Sequence, residues 1–231
     1  MEFGTASDVG KIRKINEDSL GYKKNFFVIA DGMGGHNAGE IASALAVEEI
    51  LRREAAGGDF ASALPGILNR ANQVILTYAG QHPECHGMGT TVAVLKVEEK
   101  RAWVAHVGDS RVYMWRDGKL SRVTRDHSVV EELVSKGTIT KEEAGYHPHK
   151  NVLTKALGVP GEVEAEISEI ATVKGNRILM CTDGLTSMLS DDEIAGLISQ
   201  KTSPQKIAEL LVQEANNKGG HDNISVIVVF I

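Results

Sequence analysis

Four aspartates stand at the ends of apolar segments in this 231-residue chain, where side chains that bind ligands are often placed. Asp31 follows Phe-Phe-Val-Ile-Ala, Asp109 follows a run ending in His-Val-Gly, and Asp183 follows Ile-Leu-Met-Cys-Thr. Asp222 lies just before the apolar run at 224–230. If these runs are strands of common sheets, their ends converge on one edge and several carboxylates share a small space. That arrangement predicts a cation site.

The residue types favour a hard divalent ion. Crowded carboxylates repel one another and take up protons unless cations neutralise them. An all-oxygen donor set selects Mg²⁺ or Mn²⁺, and no thiolate or histidine pair offers the softer ligands that Zn²⁺ prefers. Gly32 and Gly184 directly follow two of the aspartates and leave room for a carbonyl ligand or a phosphate. A single Asp-Gly is also an ordinary turn dipeptide, so the inference rests on the four positions together.

The elements that must hold these residues are short strands and paired helices. Asp117-Gly118 is typical of a type I′ hairpin. Apolar residues recur every three or four positions between Phe60 and Tyr78, which predicts a long helix, and Gly39 to Arg53 is a second. Ser190 with Glu193, and Ser203-Pro204, are helix starts. Strands are predicted at 26–30, 90–97, 102–107, 112–115, 177–181 and 224–230.

Strands cluster with strands and helices come in pairs, which predicts an α+β fold. We find no linker or repeat, so residues 1–231 are expected to form a single domain. The net charge of −6 argues against nucleic-acid partners. The two cysteines form no disulfide framework, and no signal peptide or membrane span is evident. We expect a cytoplasmic monomer without a membrane partner.

Six blocks of sequence together resemble the type 2C, or metal-dependent, protein phosphatase family, particularly its compact bacterial members. They are Arg-Lys-Ile-Asn-Glu-Asp at 13–18, Asp-Gly-Met-Gly-Gly-His at 31–36, Gly-Met-Gly-Thr-Thr at 87–91, Gly-Asp-Ser-Arg at 108–111, Asp-Gly-Leu at 183–185 and Gly-His-Asp-Asn at 220–223. They occur in the family's order from residue 10 to the C-terminus. The resemblance implies a sandwich of two antiparallel β-sheets flanked by helices, with metals at one end.

The resemblance also implies a set of site residues. Two core Mn²⁺ or Mg²⁺ ions would be held by Asp18, Asp31, Asp183 and Asp222, by the carbonyl of Gly32, and by Glu17 through bound water. Asp109 with Asp183 would contribute to a third, weaker metal site. Arg13 would bind the phosphate, because a guanidinium offers two oxygens a rigid fork of donors.

The implied reaction is hydrolysis of phosphoserine and phosphothreonine in proteins. It demands on the order of 20 kcal/mol of transition-state stabilisation. Two metals can bridge a water and lower its pKa for in-line attack. The eukaryotic pattern has a histidine at the position of Met33, proposed as the general acid. We therefore predict His36 as a substitute, the alternative being a solvated loop histidine.

Residues 128–157 resemble the family's flap, which would contact substrate. Phosphorylated proteins are the implied partners, with targets of a bacterial-type Ser/Thr kinase, and the kinase itself, among them. Cysteine-dependent phosphatases are excluded, because Thr91 and Ser187 stand where their arginine is needed. The alternative function is a catalytically silent module that binds phosphoproteins, which would be expected to lack a metal ligand or the arginine.

Overall fold

The computed structural model describes residues 1–34, 38–53 and 60–231, and it contains two antiparallel β-sheets packed face to face with helices outside both. The strands are β1 Glu2–Asp8, β2 Asp18–Lys23, β3 Phe26–Met33, β4 Gly89–Thr90, β5 Val92–Val97, β6 Arg101–Val107, β7 Arg111–Arg116, β8 Lys119–Arg122, β9 Glu166–Ala171, β10 Arg177–Cys181 and β11 Ile224–Phe230. The helices are α1 Gly39–Arg53, α2 Phe60–Gln81, α3 Val129–Ser135, α4 Lys141–Tyr146, α5 Asp183–Thr186, α6 Asp191–Ile198 and α7 Pro204–Asn217.

The first sheet has the strand order β1-β11-β10-β7-β8, and the second has β2-β3-β5-β6-β9 with β4 beside β3. Registers bring residues that are distant in sequence to the same end of the molecule. Asp18 is paired with Asp31 across β2 and β3, and Cys181 is paired with Val226 across β10 and β11. Asp18 and Asp31 thus lie at one end of the second sheet, on β2 and β3. Asp183, after β10, and Asp222, before β11, lie at one end of the first sheet.

Three layers of buried apolar side chains hold the sandwich together. They form because successive side chains of a strand point to opposite faces of its sheet, and each face packs on another sheet or on helices. The layer between the sheets includes Phe27 and Leu95 from one and Met180 and Ile227 from the other, all fully buried. A second layer joins α1 and α2 to the second sheet, and a third joins α6 and α7 to the first. The α+β prediction and the predicted sandwich are both confirmed.

Local signals in the sequence correspond to the observed turns and helix ends. The Ser190 hydroxyl accepts from the Glu193 amide while the Glu193 carboxylate accepts from the Ser190 amide, which closes the predicted capping box of α6. Ser203 caps α7 through the Lys206 amide. Asp117 and Gly118 have φ of 50° and 79°, as the predicted type I′ hairpin requires. Among the helices of the described residues, none is both long and apolar enough to cross a bilayer.

The strands that the sequence did not predict are all edges. In the part of the chain that the structure describes, β1, β2 and β9 each pair on one side only, so their sequences are more polar than those of central strands. The strand predicted at 90–97 is interrupted at Thr91, whose hydroxyl accepts from the Asp31 amide at 3.0 Å. β3 runs past the predicted end at residue 30, so Asp31 lies inside a strand rather than after it.

Candidate metal centre

The aspartates predicted from strand ends converge on one cleft of about 750 Å³ at the end of the sandwich. Its lining includes Asp31 and Gly32 from β3, Asp109 after β6, Asp183 at the start of α5 and Asp222 before β11. Arg13 and Glu17 line it from the segment between β1 and β2. Every one of these residues therefore faces a common space.

Asp18 lies behind this cleft and is 9% exposed. The Thr182 hydroxyl donates to its Oδ2 at 2.9 Å, and the Thr182 oxygen in turn accepts from the Ser225 amide at 3.0 Å. Its Oδ1 is buried and has no hydrogen-bond partner among the described residues. An orphaned buried carboxylate oxygen carries a large desolvation penalty, so it requires a cation or a proton.

The electrostatics of the neighbouring carboxylates point the same way. Burial, followed by the charges of Asp183 and Asp222, raises the pKa of Asp18 to about 7. Burial and the charges of Asp18 and Asp183 raise the pKa of Asp31 well above its ordinary value. Burial and the charge of Asp222 raise the pKa of Asp183. These acidic oxygens are the donor set that Mg²⁺ and Mn²⁺ prefer, so the residues present fit divalent ions.

Asp109 extends the cluster on the side of β6. Burial and the charges of Asp183 and Asp126 raise its pKa to about 7. Its neighbour Ser110 is hydrogen-bonded to the Thr91 hydroxyl at 2.7 Å, which ties the Asp109 loop to the backbone of Asp31. Asp109 thus lies in the same cleft as Asp183 and near enough for the Asp183 charge to act on it.

Two glycines permit the close backbone contacts that shape the centre. A Cβ on Gly32 would lie 2.1 Å from the Gly39 carbonyl oxygen, because the start of α1 packs directly on β3. A Cβ on Gly184 would lie 2.0 Å from the Asn223 carbonyl oxygen. Glu17 lies against the same helix start, and burial and Glu40 raise its pKa.

Arg13 stands at the rim, with its side chain 48% exposed. One guanidinium nitrogen donates to Asp222 Oδ2 at 2.8 Å, and another lies 4.0 Å from Glu17 Oε2. The remaining donors of the guanidinium are available to an anion that enters the cleft.

A family model described as "Protein phosphatase 2C" matches residues 14–219. The chain belongs to the protein phosphatase 2C family. The serine/threonine phosphatase stp of Listeria welshimeri is 37% identical over 99% of this chain and 94% of its own length. The crystal structure of the Mycobacterium tuberculosis serine/threonine phosphatase PstP/Ppp superposes with a TM-score of 0.94 at 35% identity, covering 100% of this chain and 98% of that one. A PstP catalytic domain solved with two manganese ions has a TM-score of 0.90 at 34% identity, over 98% and 96% of the two chains. The family resemblance of the sequence is confirmed.

One predicted residue of this phosphatase 2C chain, His36, falls outside the described residues. The predicted flap at 128–157 contains α3 and α4. A β-bridge between Ser128 and Leu153 pairs the start of this segment with a residue near its end. The cleft wall continues beyond residue 157 to Glu164, where Lys155 Nζ forms an ion pair with Glu164 at 2.8 Å.

Two residues that hold the centre, Thr182 and Asn223, were not among the predicted site residues. Thr182 is the one polar residue between the apolar run 178–181 and Asp183, and this placement is the only signal that could have found it. Asn223 belongs to the Gly-His-Asp-Asn block at 220–223, in which only Asp222 was predicted to be a site residue.

A second group of potential ligands, His106, His127 and Glu166, has polar atoms within 4.8 Å of one another. The hydrogen bonds argue against a metal there. His106 Nε2 lies 2.7 Å from the Arg125 carbonyl, to which it must donate. His127 Nδ1 accepts from the Gly108 amide at 3.2 Å, so its proton is on Nε2. Both Nε2 atoms are then N–H donors without a lone pair for an ion.

Proposed function

We propose that this chain is a metal-dependent serine/threonine protein phosphatase that hydrolyses phosphoserine and phosphothreonine monoesters in proteins. The observation that carries the proposal is the buried Oδ1 of Asp18, which has no partner among the described residues, behind a cleft whose lining includes Glu17, Asp31, Asp109, Asp183, Asp222 and Arg13. The relatives named above are serine/threonine phosphatases, and one was solved with two manganese ions.

We propose that two Mn²⁺ or Mg²⁺ ions are held by Asp18, Asp31, Asp183, Asp222 and the Gly32 carbonyl, and by Glu17 through water. A third, weaker site would use Asp109 with Asp183. When bound, such ions supply an activated water and offset charge on the phosphoryl oxygens.

The chain's own residues then have distinct tasks. Thr182 donates to Asp18 Oδ2, which leaves Oδ1 as the free ligand atom. Arg13 offers a planar pair of donors to two phosphate oxygens, which orients the ester in the cleft. His36 is proposed to protonate the leaving alkoxide, because an imidazolium can donate a proton at neutral pH.

The wider setting follows from the same proposal. Residues 1–231 would form one catalytic domain, and the flap at 128–157 would contact the substrate peptide. Phosphorylated proteins would be the partners, with targets of a bacterial-type Ser/Thr kinase and the kinase itself among them. The protein would act as a cytoplasmic monomer.

The first experiment is hydrolysis of an aryl phosphate and of a phosphothreonine peptide by purified protein, with Mn²⁺, with Mg²⁺ and with chelator. Asp183→Ala is the test variant, and Asp192→Ala in the exposed first turn of α6 is the matched control. We expect turnover that requires metal, is lost in Asp183→Ala and persists in Asp192→Ala. Metal-independent turnover would contradict the mechanism.

If folded, metal-bound protein turned over neither substrate, the silent phosphoprotein-binding module would replace the enzyme. His36→Ala separates two roles for that histidine. A loss on a phosphoserine peptide that is absent on the activated aryl phosphate supports the general acid, whereas equal losses would remove it from that role.

A further inference from the structure

The segment that carries Arg13, residues 9–17, links β1 to β2 without regular structure. Residues 11–15 within it are exposed. A mobile segment would leave the guanidinium spread over many positions, and ordering it at each encounter with substrate would cost entropy. Some other part of the fold must therefore fix this segment.

Asn223 makes three hydrogen bonds to it. The side chain is 4% exposed, and its Nδ2 donates to the Val9 carbonyl and to the Ile15 carbonyl, both at 2.9 Å. Its Oδ1 accepts from the Glu17 amide at 2.8 Å. The side-chain amide of Asn223 thus binds both ends of the segment, through both N–H donors and its oxygen, on either side of Arg13.

The same residue is tied to the centre. The backbone N–H of Asn223 donates to Asp222 Oδ1 at 2.9 Å. The backbone carbonyl oxygen of Asn223 is the atom that a Cβ at Gly184 would contact too closely. Asn223 therefore joins the Arg13 segment to the backbone that carries Asp222 and Asp183.

Few side chains can replace this amide. Aspartate has the same shape but presents an acceptor to two carbonyl oxygens, and serine is too short to reach three partners. We infer that Asn223 is a positioning residue that fixes residues 9–17 so that Arg13 meets the substrate phosphate. This inference rests on the proposed phosphatase function for Arg13.

The kinetic test is a double-mutant cycle between Asn223→Ser and Arg13→Ala with a phosphothreonine peptide and Mn²⁺. We expect Asn223→Ser to raise KM about 10-fold with a smaller change in kcat, and to raise it less than about 2-fold when Arg13 is already alanine. Equal effects in both backgrounds would overturn the inference, because Asn223 would then not act through Arg13.

Asn176→Ser is the matched control. Asn176 is also buried, at 3% exposure, and its Oδ1 accepts from the Val173 amide at 3.0 Å and from Arg116 at 3.2 Å. It precedes β10, whose opposite end leads to Asp183. Asn176→Ser should leave KM within about 2-fold of the wild type. A KM rise there equal to that of Asn223→Ser would overturn the inference by assigning the effect to general destabilisation.

A second readout does not need activity. Trypsin can cut after Lys11, Arg13 and Lys14, which are exposed in the segment. Cleavage there should be about 10-fold faster in Asn223→Ser and in the isosteric Asn223→Asp, and unchanged in Asn176→Ser. Wild-type cleavage rates in Asn223→Asp would overturn the inference. If the wild type lacked phosphatase activity, the proposed function would fail while trypsin still reported whether Asn223 holds the segment.

Discussion

Replacing Asp18 by asparagine is expected to stabilise the metal-free protein while it weakens metal binding. The carboxyl is buried, and its pKa moves from 3.8 to about 7 on folding without metal. Such a group costs the metal-free fold about 4 kcal/mol above pH 7. Burial is the largest cause of this raised pKa, and the asparagine amide must also be buried, so we expect Asp18→Asn to recover about half, or about 2 kcal/mol.

For a chain of this size, a gain of about 2 kcal/mol corresponds to a rise in Tm of about 4–8 °C. The assay is thermal unfolding at pH 8 with chelator and with saturating Mn²⁺. The ranking should reverse with metal, because the wild type then gains binding free energy that Asp18→Asn loses. The gain in chelator should also vanish below about pH 3, which lies under the ordinary carboxyl pKa of 3.8, because the carboxyl is then protonated in both the folded and the unfolded chain.

Asp126→Asn is the control variant, because it makes the same chemical change at a carboxylate that is paired with arginines. Asp126 accepts from Arg111 at 2.7 Å and lies 3.0 Å from Arg122, so its replacement takes a carboxylate partner away from two partly buried guanidinium groups. This variant should lose stability with and without metal. If Asp18→Asn were less stable than the wild type in chelator at pH 8, the argument that the buried, ionised Asp18 destabilises the metal-free fold would be refuted.

The Tm of the metal-free wild type should fall as pH rises from about 4 to about 8, because acids whose pKa is raised by folding stabilise the fold only while protonated. Asp18 and Asp109, both with a pKa of about 7, set that window, and Tm that stays constant across it in chelator would contradict their assignment. Arg13→Lys should raise KM for a phosphothreonine peptide about 10-fold with less effect on kcat, since lysine lacks the planar pair of N–H donors of the guanidinium. Steady-state kinetics that showed a loss confined to kcat would exclude phosphate binding by Arg13. Gly184→Ala should weaken Mn²⁺ binding at least about 10-fold in calorimetry, because its Cβ would lie 2.0 Å from a neighbouring carbonyl oxygen. Gly196→Ala, in the open on α6, should bind Mn²⁺ like the wild type, and similar affinities for both variants would contradict the steric argument.

Prediction of the fold from sequence succeeded where local chemistry is decisive. The α1 range Gly39–Arg53, the β10 range Arg177–Cys181 and the β11 range Ile224–Phe230 have the predicted bounds, because apolar runs and helix periodicity report burial directly. Edge strands such as β9, Glu166–Ala171, were missed because a strand paired on one side needs little apolar surface.

The sequence by itself determined the family, because six motifs occur together in the family's order, and the resemblance implied the layered fold. It also determined the residue types of the centre, because aspartates at the ends of apolar runs indicate a site for hard cations. Only the tertiary structure decided which oxygen of Asp18 has no partner among the described residues, since that depends on Thr182, 164 residues away in sequence. It alone also showed that the amide of Asn223 holds both ends of the segment around Arg13. Hydrogen bonds between distant segments have no local signature in a sequence, because their partners are brought together by sheet register and packing rather than by neighbouring residues.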